Sequence, residues 1–170
     1  MGLPYRQTAE RRATFAAVVD NEPGVLHRVV GMFAARGYNI ESLTVAETDH
    51  TAHTSRITVV TRGAPAILAQ IKAQLEKIIQ VRSVEDVGLD AASTERELAL
   101  FSVAATGPAR GEAISLAARH SARSVNDAGP ALLFELTGSP DEIDAFQGAL
   151  RPFGLTETSR TGVISIRRNT

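Results

Sequence analysis

Apolar residues recur along this chain with two periods, one of two residues and one of three to four, and the switches between them outline its elements. Thr14-Phe15-Ala16-Ala17-Val18-Val19 is apolar on both alternating faces, which suits a central strand. From Val25 the period lengthens. Val25, Val29 and Phe33 form one row, with Leu26 and Val30 beside it, and Gly37 supplies the residue that ends a helix. Asn39 to Ala46 carries Ile40, Leu43 and Val45 with polar partners and reads as a second strand. Glu47 to His53 is polar and reads as a loop, and Ser55 to Thr61 carries Ile57, Val59 and Val60 as a third strand. Gly63-Ala64-Pro65 opens a second helix with Ile67, Ile71, Leu75 and Ile78 in a row, and Val81, Val84 and Val87 mark a fourth strand. The order is β-α-β-β-α-β, a split βαβ or ferredoxin-like unit. Right-handed crossovers then place both helices on one face of a four-stranded antiparallel sheet.

The same order recurs after a small, polar stretch from Asp90 to Thr94 that reads as a linker. Leu98 to Ala104 is a strand, Gly111 to Ser121 a helix, Ala122 to Asp127 a weak strand, and Leu132 to Leu136 a firmer one. Ser139-Pro140-Asp141-Glu142 is a helix start with Ser as cap and Pro at the first position. Ile143, Phe146 and Leu150 continue that helix, and Val163, Ile164 and Ile166 fall in a final strand. The expected architecture is α+β, two tandem βαββαβ units over 13–88 and 95–170 behind a flexible tail at 1–12. A sheet with helices on one face leaves apolar residues and open edges that must meet something, and a homodimer pairing sheet edges, with the second half of the chain closing the other face, satisfies this.

Composition narrows the functions on offer. The chain has 170 residues, 44% of them hydrophobic but only 5% aromatic, so its cores are aliphatic. A net charge of −1 provides no field for nucleic acid or anionic membrane. The third strand offers Ile57, Thr58 and Val59 where an RNA-binding sheet of this type carries stacking aromatics. Without Cys there is no thiolate nucleophile or Cys-ligated zinc. The N-terminus lacks a signal peptide's apolar run, and the expected location is cytoplasmic. His50 and His53 with Asp49 are a fragment of a metal site at most, and a solvated loop is the simpler reading. No phosphate-binding glycine motif occurs, and no catalytic residue is assigned.

What remains is Asp20-Asn21-Glu22-Pro23-Gly24-Val25-Leu26, between the first strand and the first helix. Asn21 offers an amide, Pro23 suits the first helical turn, and Gly24 permits close approach to the backbone. Asp20 or Asn21 as a mere helix cap is the plainer reading. The other reading is a helix N-terminus whose free N–H groups bind a small carboxylate. If second strands pair edge to edge in a dimer, Asn39 and Ile40 of one chain approach the Asn21–Gly24 loop of the other. That pocket suits an aliphatic amino acid: asparagines for its polar groups, Leu26 and Ile40 for its side chain.

N-E-P-G-V-L at 21–26, R-G-Y-N-I-E-S-L-T-V at 36–45 and S-R-I-T-V-V at 55–60 resemble the ACT domain, a small-molecule regulatory module. With E-R-E-L-A-L at 95–100 and T-G-V-I-S-I at 161–166, the chain is similar to the regulatory small subunits of acetolactate synthase. The resemblance implies a chain with no active site or cofactor of its own. Its partner is a catalytic subunit carrying thiamine diphosphate, magnesium and FAD, which it activates and renders sensitive to feedback inhibition by valine. The effector-binding positions carried over are Asn21, Gly24, Val25 and Leu26 from one chain and Asn39 and Ile40 from its neighbour. His27 lies beside them with its effect on effector choice open. A free-standing ACT amino-acid sensor acting on another protein is the alternative.

Overall fold

The computed structural model describes residues 9–89 and 93–168. The described chain divides into two compact units, one running through Thr94 and resumed by the segment from Ser165, the other Glu95–Ile164.

The first unit contains β1 (Arg11–Asp20), α1 (Val25–Ala35), β2 (Ser42–Asp49), β3 (Thr54–Gly63), α2 (Pro65–Leu75) and β4 (Val81–Asp86), with sheet order β2-β3-β1-β4. All pairings are antiparallel. Ala13, Phe15, Ala17 and Val19 of β1 and Ile57 and Val59 of β3 join Val25, Val29, Met32 and Phe33 of α1 and Leu68, Ile71 and Leu75 of α2 in one core. The alternate residues Thr14, Ala16, Thr58 and Val60 are buried as well, which is why β1 reads as a continuous apolar run. β2 is an edge strand, and its second half is solvent-exposed.

The second unit repeats the plan: β5 (Ser93–Val103), α3 (Pro108–Arg119), β6 (Arg123–Asn126), β7 (Leu132–Gly138), α4 (Pro140–Leu150) and β8 (Leu155–Arg160), in the order β6-β7-β5-β8. A short β9 (Ile164–Arg167) lies off that path. Phe101, Phe134 and Phe146 meet edge to face in its core. Ser139 forms a full capping box with Glu142 at the start of α4, as the sequence predicts.

Several boundaries move. β1 begins at Arg11 because Arg11 and Arg12 pair with Gly63 and Arg62, so those two residues are strand; the rest of the expected tail up to residue 8 lies outside the described residues. Residues 90–92 of the expected linker also lie outside them, and Ser93 and Thr94 already belong to β5. α2 stops at Leu75, and Ile78 packs on the core from the following turn. The largest difference is β8. The fourth strand of the second sheet is the polar Leu155–Arg160, whereas the apolar pattern points to Val163 to Ile166. From Ser165 the chain groups with the first unit, where the Ser165 carbonyl accepts from Arg56 Nη2 at 2.9 Å.

Candidate effector site

β1 delivers its last residue, Asp20, to a tight loop ahead of α1. Pro23 and Gly24 are the corner of a type II turn: Gly24 has φ 88° and ψ −6°, and the Val25 N–H donates to the Glu22 carbonyl at 3.3 Å. Pro23 is therefore a turn residue and not the first residue of the helix, which starts at Val25. Gly24 holds the cap position, and no side chain caps the helix. The plain capping reading of Asp20 and Asn21 fails for a visible reason. Asp20 Oδ1 accepts from Arg82 Nε at 2.6 Å, and the side-chain amide of the exposed Asn21 makes no hydrogen bond among the described residues. The Leu26 and His27 N–H groups, in the first turn where a helix supplies no acceptor, are likewise without one.

The backbone of the loop is anchored on two sides. Asp20 N–H donates to the Gln80 carbonyl at 2.8 Å, and Asn21 N–H donates to the His53 carbonyl at 2.8 Å. Arg28 Nη1 meets Gln80 Oε1 at 2.8 Å, so the first turns of α1 are tied to the same segment. Sequence reasoning missed Gln80, His53 and Arg82, since their approach depends on strand register and carries no local signal.

Of the residues singled out here, Leu26 is 42% exposed and free to line a ligand. Val25 is 4% exposed and points into the core, so it can offer backbone alone.

Asn39 and Ile40 lie at the other end of the sheet. α1 ends in a Schellman motif: Gly37 N–H donates to the Ala34 carbonyl at 3.2 Å and Tyr38 N–H to the Phe33 carbonyl at 3.0 Å, with the Phe33 and Tyr38 rings edge to face. Gly37, at φ 68°, makes this reversal. Thr61 Oγ1, fully buried, then donates to the Asn39 carbonyl at 2.6 Å, which fixes the backbone and leaves the side chain exposed. Ile40 packs half-buried on the core.

Asp20 pairs with Thr54 of β3, while Asn39 binds Thr61, seven residues further along the strand, or roughly 23 Å at the usual rise. Within one chain the two asparagines do not converge.

The His50/His53 loop is occupied by its own structure. Asp49 Oδ1 accepts from the Thr51 and Ala52 amides at 2.8 and 2.9 Å, and these two bonds, Ala52 first, hold its carboxyl below the ordinary carboxylate range. His50 Nδ1 meets Glu47 Oε2 at 3.0 Å. No group of three or more metal-ligating side chains occurs among the described residues, nor any helix long and apolar enough to cross a membrane.

Comparison with known proteins covers both units. A family profile described as "AHAS small subunit-like ACT domain" matches residues 15–83, and one described as "Small subunit of acetolactate synthase" matches residues 96–169. A probable acetolactate synthase small subunit of Archaeoglobus fulgidus is 39% identical over 155 residues, covering 91% of this chain and 96% of that one. The acetolactate synthase isozyme 3 small subunit of Escherichia coli is 37% identical, covering 92% and 96%. The crystal structure of an acetolactate synthase small subunit from Thermotoga maritima superposes with a TM-score of 0.84 at 30% identity, covering 94% of this chain and 99% of the other.

Proposed function

The chain belongs to the acetolactate synthase small-subunit family, and from that premise we propose that it is the regulatory partner of a catalytic subunit in branched-chain amino-acid biosynthesis. It activates that subunit and confers feedback inhibition by valine. The chemistry, with thiamine diphosphate, magnesium and FAD, belongs to the catalytic subunit.

One observation carries the effector assignment: the Leu26 and His27 amides and the Asn21 side chain, all without partners, stand at the mouth of a loop whose backbone is anchored. A helix N-terminus bearing about half a positive charge suits the valine carboxylate. The exposed face of Leu26 suits the isopropyl group.

Edge strand β2 supplies the rest. Its start adjoins Asn39 and its end adjoins the hairpin that supports Asn21. Two β2 edges paired antiparallel about a twofold axis bring the start of one strand to the end of the other. Asn39 and Ile40 of each chain then face the Asn21–Gly24 loop of its partner. Asn39 takes the ammonium or carboxylate, and Ile40 closes the apolar side.

Feedback control needs only micromolar to millimolar affinity, about −4 to −8 kcal/mol, and a coupling of about 1–3 kcal/mol to the catalytic subunit. Because each ligand touches two chains, the ACT–ACT interface is the element whose equilibrium valine biases. Calorimetric titration of the full-length protein with valine, leucine and isoleucine tests the assignment. Saturable binding of valine, lost in Asn21→Ala, is the expected result. No heat from any of the three amino acids would overturn it.

A further inference from the structure

We propose that Arg82 is a positioning residue for this loop: an arginine set on a β-bulge that clasps Asp20 to the β2–β3 hairpin and thereby holds the amides of α1 in their ligand-ready direction. The inference rests on the effector reading above and adds what regulates that site.

The register of β4 on β1 shifts between Val18 and Val19, whose partners are Ser83 and Val81. Arg82 is the extra residue. A bulge leaves its residue out of the ladder and re-aims its side chain. Here Nε donates to Asp20 Oδ1 at 2.6 Å, and Nη2 reaches the Ala52 carbonyl at 3.4 Å. A second shift occurs at the same end of the sheet. Glu47 and Asp49 of β2 pair with Ser55 and Thr54, leaving Thr48 extra. It precedes the hairpin turn in which His53, at φ 48°, turns its carbonyl to the Asn21 N–H. Arg82 thus joins the two segments that Asn21 lies between.

The second unit serves as an internal control. There the Ala104 N–H donates to the Gly154 carbonyl at 2.9 Å, the counterpart of Asp20 and Gln80. The register of β8 on β5 shifts between Ser102 and Val103, with Thr156 extra. The counterparts of Asp20 and Arg82 are therefore Ala104 and Thr156, and the Thr156 hydroxyl merely returns to the Ser102 carbonyl at 3.1 Å. The bulge comes with the fold. The charged clasp occurs only on the unit that carries the Asn-Glu-Pro-Gly loop.

Arg82 and Asp20 are 50% and 32% exposed, and an ion pair so open to solvent adds little to global stability. Its effect is local: it couples the loop to the end of edge strand β2, so edge pairing and effector binding influence each other.

The test uses full-length wild type, Arg82→Ala, and the charge swap Asp20→Arg with Arg82→Asp. Amide hydrogen exchange over 20–27 and 49–54 is followed without ligand, and L-valine affinity is measured by calorimetry. Arg82→Ala is expected to speed exchange in both segments and to weaken valine binding by about fivefold, the ceiling for an exposed pair. The swap restores the ion pair but leaves position 82 with no donor for the Ala52 carbonyl, so it is expected to recover valine affinity and slow exchange over 20–27 while exchange over 49–54 stays fast. In Arg82→Ala, either response without the other overturns the clasp, and so does a swap that recovers neither valine affinity nor slow exchange over 20–27. A wild type that binds none of the branched-chain amino acids removes the effector reading and this inference together, and the wild-type titration alone identifies that case.

Discussion

Gly24→Asp separates folding from effector binding at one atom. Gly24 has φ 88°, where a side chain is strained, but a Cβ built there meets nothing within 4 Å. The cost is therefore conformational, about 1–2 kcal/mol for an L-residue in the left-handed region. Against a typical total of roughly 5–15 kcal/mol the chain stays folded, melting lower by about 2–4 °C for each kcal/mol lost. Gly24→Ala carries the same strain without the charge and is the control. At a separation of about 5 Å, two like charges such as the new carboxylate and the ligand's own repel by about 1 kcal/mol in bulk water and about 3 kcal/mol near a protein surface. Valine affinity should fall roughly tenfold to a hundredfold below that of Gly24→Ala. Calorimetry on both variants reads the difference directly, and reconstitution with the catalytic subunit should give an active, valine-insensitive enzyme. A folded Gly24→Asp protein that binds valine within about threefold of Gly24→Ala would refute the placement of the carboxylate at this helix start.

Two further predictions concern the second unit and the pH response. Glu97, with a side chain 2% exposed, receives two bonds from the Arg160 guanidinium, which also meets Asp144 Oδ1 at 2.5 Å; these carboxylates, Glu97 above all, raise the Arg160 pKa above its ordinary value. Removing Arg160 strands the buried Glu97 carboxylate, whereas Arg160 itself keeps Asp144 and solvent, so Arg160→Ala should lose roughly 3–5 kcal/mol in urea unfolding with an unchanged slope, and a loss under about 1 kcal/mol would contradict the reading. Glu142 is held below the ordinary carboxylate range by the Ser139 amide first and the Ser139 hydroxyl second, and Asp49 by the Ala52 and Thr51 amides. A lowered folded pKa means that the unfolded state binds more protons in acid. The stabilisation is complete above the ordinary carboxylate range and is lost as pH falls through the lowered values, below about pH 4. Glu142→Gln with Asp49→Asn should flatten the acid limb of melting temperature against pH; an unchanged limb would show that these bonds do not form.

What the sequence disclosed follows which forces are local. Val25, Val29 and Phe33 fix α1 because helical spacing alone puts them on one face, and Met32 joins them. The Ser139 and Glu142 box is local too. By contrast, β8 reads Leu-Thr-Glu-Thr-Ser-Arg, an edge strand that is largely exposed and held by pairing with β5, so no apolar alternation announces it. The Pro23-Gly24 step suits either a helix start or a type II turn, and only the positive φ at Gly24 decides. Val25 belongs to both the core stripe and the motif, and burial assigns its side chain to the core. Arg82 was illegible because a bulge is a property of two strands in register.

Sharing of the site between chains is tested most directly by mixing two variants that each fail to bind. Asn21→Ala and Asn39→Ala homodimers should both lose valine. A mixed dimer holds one doubly altered site and one untouched site, so an equal mixture, once exchanged, should regain about a quarter of the wild-type stoichiometry at wild-type affinity, as twofold symmetry requires. A mixture that stays silent, or either homodimer binding as wild type does, would contradict a pocket built from Asn21 of one chain and Asn39 of the other.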